Sequence, residues 1–283
     1  CREEELWEYV NDETGNYPVF NPEQWIAVIR NLLSRTVKQL AHYVPVAIGI
    51  TSQRNGVVFL DSSDTELYCA PNLDLRGDEV LSELSPYQQI VYEATGLPVH
   101  GMFGLPRLLW FKNKRADIYD KIACVLMIAD WIAFKLSGVK KSELSIAGSS
   151  QLINVTNRNV ASDMLRAIGL RDDVFPKLCT ANEPFGVVNR DTALATGLPE
   201  NIPVVVCGSD SYCAMVGMGV FSKCDTAVIA GSTTPVISLT DRLTLDPERI
   251  LYVTGFSVDG LWAVESNAGA TGLSFRWLKD LTA

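Results

Sequence analysis

The sequence predicts an α/β protein, a mixed sheet flanked by helices, with a change of domain near Val220. Three observations carry this. Helical and strand-like segments alternate as far as that point, and a cluster of strands follows it. The apolar, β-branched run Pro203-Val204-Val205-Val206 ends in Cys207-Gly208-Ser209-Asp210-Ser211, and a later apolar run ends in Ala230-Gly231-Ser232-Thr233-Thr234. Such a pair sets a carboxylate and a small-residue turn at the carboxyl ends of two strands, where open α/β sheets bind ligands. The chain has 283 residues, 47% hydrophobic and 20% charged, which suits two well-buried domains and excludes a disordered chain.

The elements follow in order. Asn21-Pro22-Glu23-Gln24 is a helix start, with Asn21 as the cap, Pro22 in the first turn and Gln24 closing a capping box. Trp25, Val28, Ile29, Leu32 and Leu40 then share one helical face. Val46 to Ile50 reads as a buried strand, Val57 to Leu60 as a second, and Ser52 to Gly56 as the turn between them. Leu105 to Lys114 and Tyr119 to Leu136 read as helices, the latter stopped by Gly138, and Ala161 to Ile168 as another, stopped by Gly169. The strand at Val204 leads into a small-residue helix from Ser211 to Val216. Strands at Thr226 to Ala230, Val236 to Leu239, Leu251 to Thr254 and Trp262 to Val264 come next, and a last helix covers Leu273 to Leu281. There is no short repeat and no low-complexity stretch.

Charge and composition narrow the function classes. A net charge of −9 argues against nucleic acid or an anionic membrane as partner, though an anionic nucleotide can still bind through local N–H groups and Mg2+. The cysteines, Cys1, Cys69, Cys124, Cys179, Cys207, Cys213 and Cys224, are scattered and odd in number, which reads as reduced thiols in a cytoplasmic protein. No signal peptide opens the chain, and the longest apolar stretch, Ile122 to Leu136, is broken by Asp130 and Lys135. His42 and His100 are the only histidines, too few for a His-rich metal site. The chain opens at Cys1 and stops at Ala283 directly after a helix, which reads as both ends cut from a longer protein.

Several segments, in this order and spacing, carry a resemblance. Gly49 to Gly56 contains Gln53-Arg54-Asn55; Asn72-Leu73-Asp74-Leu75-Arg76 follows; then come Leu105-Pro106-Arg107-Leu108-Leu109-Trp110, Asp130-Trp131-Ile132 to Gly138, Gly208-Ser209-Asp210, Gly231-Ser232-Thr233, and Ala268-Gly269-Ala270-Thr271-Gly272 to Leu278. Together they resemble the FGGY carbohydrate kinases, nearest the autoinducer-2 kinase and xylulokinase branch, along nearly the whole chain. The resemblance implies an actin-like, ribonuclease-H-like ATPase fold whose first domain is nearly complete and whose second is partial. It implies a sugar-side domain over 1–220, lacking its first strands, and the start of a nucleotide-side domain over 221–283. It implies ATP-dependent phosphorylation of a hydroxyl on a small sugar, ketose or polyol, an autoinducer-2 precursor or a xylulose-like compound. ATP and Mg2+ are the implied cofactors, and a homodimer is allowed. Asp210 would be the catalytic base, touching Mg2+ through water. Gln53, Arg54, Asn55, Asp74, Arg76 and Ser211 would bind sugar, and Gly231, Ser232, Thr233 and Gly272 the nucleotide. The family's opening Asp-x-Gly-Thr loop and closing Gly-Gly segment are absent, Asn55 stands where glycerol kinases have an acidic residue, and Asn72 replaces the usual Trp. Residues 1–283 alone are therefore expected to be inactive.

Each candidate also has a plainer reading. Asp210 reads as a helix cap, a role compatible with that of a base that accepts a hydroxyl proton as the phosphoryl group arrives. Arg54 is either a surface turn residue or a fork on substrate oxygens. Asp74 and Arg76 are either an exposed pair or an acceptor for sugar hydroxyls with the arginine orienting it. Gly231 to Thr233 is either an ordinary turn or a cradle for phosphate. Cys207 and Cys213 read as small apolar residues, and Trp110 and Trp131 as core. Two other classes compete. A non-catalytic actin-like module would bind sugar or nucleotide without needing the base. A serine or cysteine hydrolase would need a nucleophile with a histidine partner, and no Gly-x-Ser-x-Gly elbow occurs.

Overall fold

The computed structural model describes residues 2–40 and 42–282. Cys1 lies outside them. The central feature is a parallel pair: Pro203–Ser209 lies beside Ile48–Ser52, with Val204 opposite Ile48 and Val206 opposite Ile50. The register slips before Ser209 meets Ser52. Gly186–Val187 adds an antiparallel edge on the other side of Pro203–Ser209. Parallel strands end at the same side of a sheet, so the residues after Ser52 and after Ser209 emerge together.

The expected hairpin between Val46–Ile50 and Val57–Leu60 does not form. The first strand runs Ile48–Ser52 and pairs with the distant Pro203–Ser209, while Val57–Leu60 pairs with Glu66–Ala70 and Cys124–Met127 in a sheet of its own. Residues 53–56 are a crossing from one sheet to the next. Gly56 fits this close passage, because a Cβ there would lie 2.3 Å from the Ile128 Cδ1. The long helix expected over Tyr119 to Leu136 is also corrected. A turn of helix at Ala116–Tyr119 is followed by the strand Cys124–Met127 and then the helix Ile128–Ser137. All four residues of that strand are buried, and a short, continuously apolar run has no period that tells strand from helix.

Other elements stand close to where the sequence put them. Asn21 caps Pro22–Gln39, its side chain accepting from the Gln24 N–H at 3.0 Å. Gly104–Lys114 and Ser162–Ile168 are helices. The later strands Thr226–Val228, Pro235–Thr240, Trp262–Asn267 and Tyr252–Gly255 form one antiparallel sheet in that order across it. The last helix, Thr271–Thr282, has no buried residue.

The buried apolar residues form two clusters. The larger gathers Trp25, Phe59, Leu126, Trp131 and Val206 among many others, and both Trp110 and Trp131 belong to it, as expected. The smaller holds Tyr212, Met215, Ile237, Leu239, Phe256 and Ala263. The helix Asp210–Gly217 contributes Tyr212 and Met215 to the smaller cluster while following directly from a strand of the larger one. It joins the two cores, and the cavity described next opens at its start.

Candidate active site

The parallel pair builds the site. After Ile48–Ser52 the chain turns through Gln53, Arg54 and Asn55, with Asn55 at φ 67°, a left-handed conformation that Asn tolerates better than most residues. After Pro203–Ser209 it enters the helix Asp210–Gly217. Gly208 makes this corner possible: its φ is +96°, and a Cβ there would sit 2.2 Å from Ser257 Oγ and 2.7 Å from Ser145 Oγ. Thr51 Oγ1 donates to the Gly208 carbonyl at 2.8 Å and fixes the two turns side by side. Arg54 and Asp210 therefore line one cavity of roughly 350 Å3, with Gln53, Asn55, Ser211 and Thr233. That is the size of a small-molecule site.

Asp210 is not the helix cap. Ser209 takes that role, its hydroxyl accepting from the Tyr212 N–H. Asp210 stands one residue later with an exposed side chain, and only Oδ1 is engaged, by the Ser211 N–H at 2.7 Å and the Ser211 hydroxyl at 3.2 Å. Acidic side chains favour the first turn of a helix, where Asp210 stands.

Arg54 is held from the far wall. Its Nη1 and Nη2 donate to Glu265 Oε2 and Oε1 at 2.5 and 2.9 Å, and the Tyr212 ring lies 5.9 Å from the guanidinium carbon. Burial alone would pull its pKa down, but the bonds and charge of Glu265 outweigh this and raise it. Gln53 is partly committed: its Nε2 donates to Tyr9 and its Oε1 accepts from the Asn72 N–H. Asn55 Nδ2 reaches Met102 Sδ at 3.2 Å.

Asp74 and Arg76 are not the exposed pair of the plainer reading. Nor are they part of the cavity lining. Asp74 is fully buried, accepting from Tyr68 Oη at 2.7 Å and from Arg76 Nε at 2.8 Å. Arg76 continues to Asp12 at 3.1 Å, and the rings of Tyr17, Tyr68, Trp110 and Phe111 lie within 5.3 Å of its guanidinium carbon. This is an aromatic box around an ion pair, and both Asp74 oxygens accept hydrogen bonds within it.

The small-residue turn forms another part of the wall. Gly231, Ser232 and Thr233 are exposed, and Thr233 lines the cavity with Gly269. The turn packs on the start of Thr271–Thr282: the Leu273 N–H donates to the Ser232 carbonyl, and the hydroxyls of Thr234 and Thr271 are 2.5 Å apart. Gly272 is required there, since a Cβ would lie 2.1 Å from the Gly231 oxygen. An anion beside this turn would also meet a helix N-terminus.

Residues that no sequence signal singles out also line the cavity, among them His100, Ser149, Tyr252, Glu265 and Asn267. The Met102 N–H donates to His100 Nδ1 at 3.2 Å. None of these lies in a motif, and only the folded chain brings them together. The described cysteines are all free. Among the described residues, no cluster of His, Cys, Asp and Glu could hold a metal by itself, and no helix is long and apolar enough to cross a membrane.

Comparison with known proteins gives concordant results. The profile described as "FGGY family of carbohydrate kinases, N-terminal domain" matches residues 7–217. An autoinducer-2 kinase of Escherichia coli is 34% identical over 240 residues, covering 83% of this chain and 45% of the relative. An autoinducer-2 kinase of Salmonella paratyphi B is 31% identical over the same length and coverage. The chain thus spans about half the length of the curated relatives it matches. A ligand-bound xylulose kinase from Lactobacillus acidophilus superposes with a TM-score of 0.88 at 17% identity, covering 96% of this chain and 56% of that one. A glycerol kinase from Plasmodium falciparum, solved with ADP, gives 0.83 at 20% identity, covering 93% and 55%.

Proposed function

We propose, since the chain belongs to the FGGY family of carbohydrate kinases, that the protein carrying it transfers the γ-phosphoryl group of ATP to a hydroxyl of a small sugar, ketose or polyol. The observation that carries this reading is the convergence of Arg54, Asp210 and Thr233 on one polar cavity from the ends of separate strands. In it, residues 1–220 form the sugar side and residues 221–283 open the nucleotide side.

The chemistry follows from the placement. A substrate hydroxyl beside Asp210 gives its proton to the carboxylate as its oxygen bonds to the γ-phosphorus. The bond from that phosphorus to the bridging oxygen breaks, and ADP leaves with the electron pair. Positioning and charge stabilisation do most of the work. Arg54, Gln53, Asn55 and Ser211 orient the hydroxyls, while Thr233 and the turn Gly231 to Thr233, backed by Gly272, face the phosphates. Mg2+ arriving with ATP would neutralise charge on the transferring group. Asp210 suits a water-mediated contact to it, being exposed with one oxygen engaged by Ser211. The relatives' names favour an autoinducer-2 precursor or a xylulose-like ketose as acceptor. We place the protein in the cytoplasm, where its free thiols stay reduced.

A coupled ADP-release screen of the full-length protein against ketoses, polyols and autoinducer-2 precursors tests the proposal. Sugar-dependent ADP release with one of these classes is expected. Its absence across all of them would overturn the kinase reading.

A further inference from the structure

One buried charge in the cavity wall has no role in that chemistry. Glu265 is 2% exposed and sits on Trp262–Asn267, in the sheet of the smaller core, while Arg54 follows a strand of the larger core. They are 211 positions apart in sequence and meet in a two-pronged pair. Asn267 Nδ2 adds a bond to Glu265 Oε1 at 3.2 Å. Tyr212, packed beside the guanidinium, is itself fixed by a 2.6 Å bond between its hydroxyl and Thr254. Burying a carboxylate is costly, and apolar residues of similar volume often serve stability as well. A two-pronged geometry instead gives orientation.

A guanidinium has five N–H groups. Glu265 takes two, so three remain. An arginine free at a cavity edge loses rotamer freedom when it grips a ligand, and one already clamped does not.

We propose that Glu265 is a positioning residue: it clamps Arg54 across the cavity so that the remaining N–H groups are preset for substrate hydroxyls, and it couples the two cores at the point where sugar and nucleotide meet. The proposal rests on the kinase reading for the identity of the ligand, but not for the clamp itself.

The test uses the full-length protein, with steady-state kinetics on the sugar found in the screen and urea unfolding in parallel. Glu265→Gln should raise the sugar KM about 10-fold, as loss of a charge-assisted pair does, and change kcat by less than about 3-fold. Arg54→Lys, which keeps the charge but cannot engage both carboxylate oxygens, should give the same split. The charge swap Arg54→Glu with Glu265→Arg should recover stability lost in Arg54→Glu without recovering the sugar KM, because the cation then stands on the wrong wall. An unchanged KM in Glu265→Gln would overturn the proposal, and so would a swap that restores both quantities. The clamp is also read without any turnover, in a double-mutant cycle of Arg54→Met and Glu265→Gln. Non-additive losses of stability support it, and additive losses overturn it. A wild-type protein that phosphorylates no sugar would sink the kinase reading, and the cycle would still decide the clamp.

Discussion

Single side chains in this chain divide by what their atoms are already bonded to. Asp210 has an exposed carboxylate with one oxygen engaged, whereas Asp74, two residues before Arg76 in a motif-like string, has both oxygens taken. The two should fail differently. Asp210→Ala in the full-length protein should lower kcat by ~10²–10⁴-fold with a smaller change in sugar KM, since a base acts chiefly as the hydroxyl loses its proton. Arg54→Ala should act mainly on sugar KM, because its contacts exist before and during the reaction. Near wild-type turnover in Asp210→Ala would remove it as the base. Asp74→Ala should instead cost roughly 3 kcal/mol or more of stability, the usual result of leaving a buried charge unpaired. Protein that remains folded should keep its sugar KM, and a raised KM with unchanged stability would return Asp74 to the sugar site. From sequence, Arg54 was either a turn residue or a substrate fork, and Asp74 either half of an exposed pair or a sugar acceptor. Only the partners, Tyr68 and Asp12 for one network and Glu265 for the other, tell them apart, and no local pattern encodes a partner 211 positions away.

Elements show the same limit on a larger scale. Caps were readable, because Asn21 and Pro22 act on residues within one turn. The strand Cys124–Met127 was not, because its identity comes from pairing with Val57–Leu60, and its uniformly apolar residues fit either a buried strand or a helix. The join between that strand and the helix Ile128–Ser137 carries a buried carboxyl with a pH signature. Asp130 accepts from the Ser142 hydroxyl at 2.5 Å and from the Glu143 N–H at 3.0 Å, tying the helix start to the strand Lys141–Glu143. Burial pushes its pKa up to about 8, against the pull of those bonds, and burial raises neighbouring Glu143 as well. An unfolded Asp titrates near 4, so the unfolded chain releases this proton first as pH rises. The contribution of Asp130 to stability is complete below about pH 4 and is lost as pH climbs toward 8. Asp130→Asn cannot ionise. The stability of wild type minus that of the variant, from urea midpoints, should therefore fall between about pH 5 and pH 8 and level off above that. Parallel curves for the two proteins would show that Asp130 is already ionised in the fold.

At the scale of the molecule, the order of motifs was the legible part. Their sequence along the chain implied an actin-like kinase architecture, and the superpositions on solved kinases show that architecture over nearly all of the chain. The contact between the two cores was not legible, because it depends on Arg54, after a strand of one, meeting Glu265 and Tyr212 of the other. The nucleotide side proposed above was no more legible. Gly231, Ser232 and Thr233 are exposed, one of their N–H groups is already bonded to the Thr233 carbonyl, and the helix Thr271–Thr282 beside them buries none of its side chains. A nucleotide laid on this surface would keep much of its area in water, whereas established small-molecule sites bury most of the ligand. Residues 1–283 alone should therefore bind Mg·ATP weakly or not at all, and titration calorimetry is the measurement. Dissociation in the millimolar range or an absence of heat is expected. Micromolar affinity, about −8 kcal/mol, would mean that the adenine and phosphates are held by residues within this chain other than the turn and helix start assigned to them here.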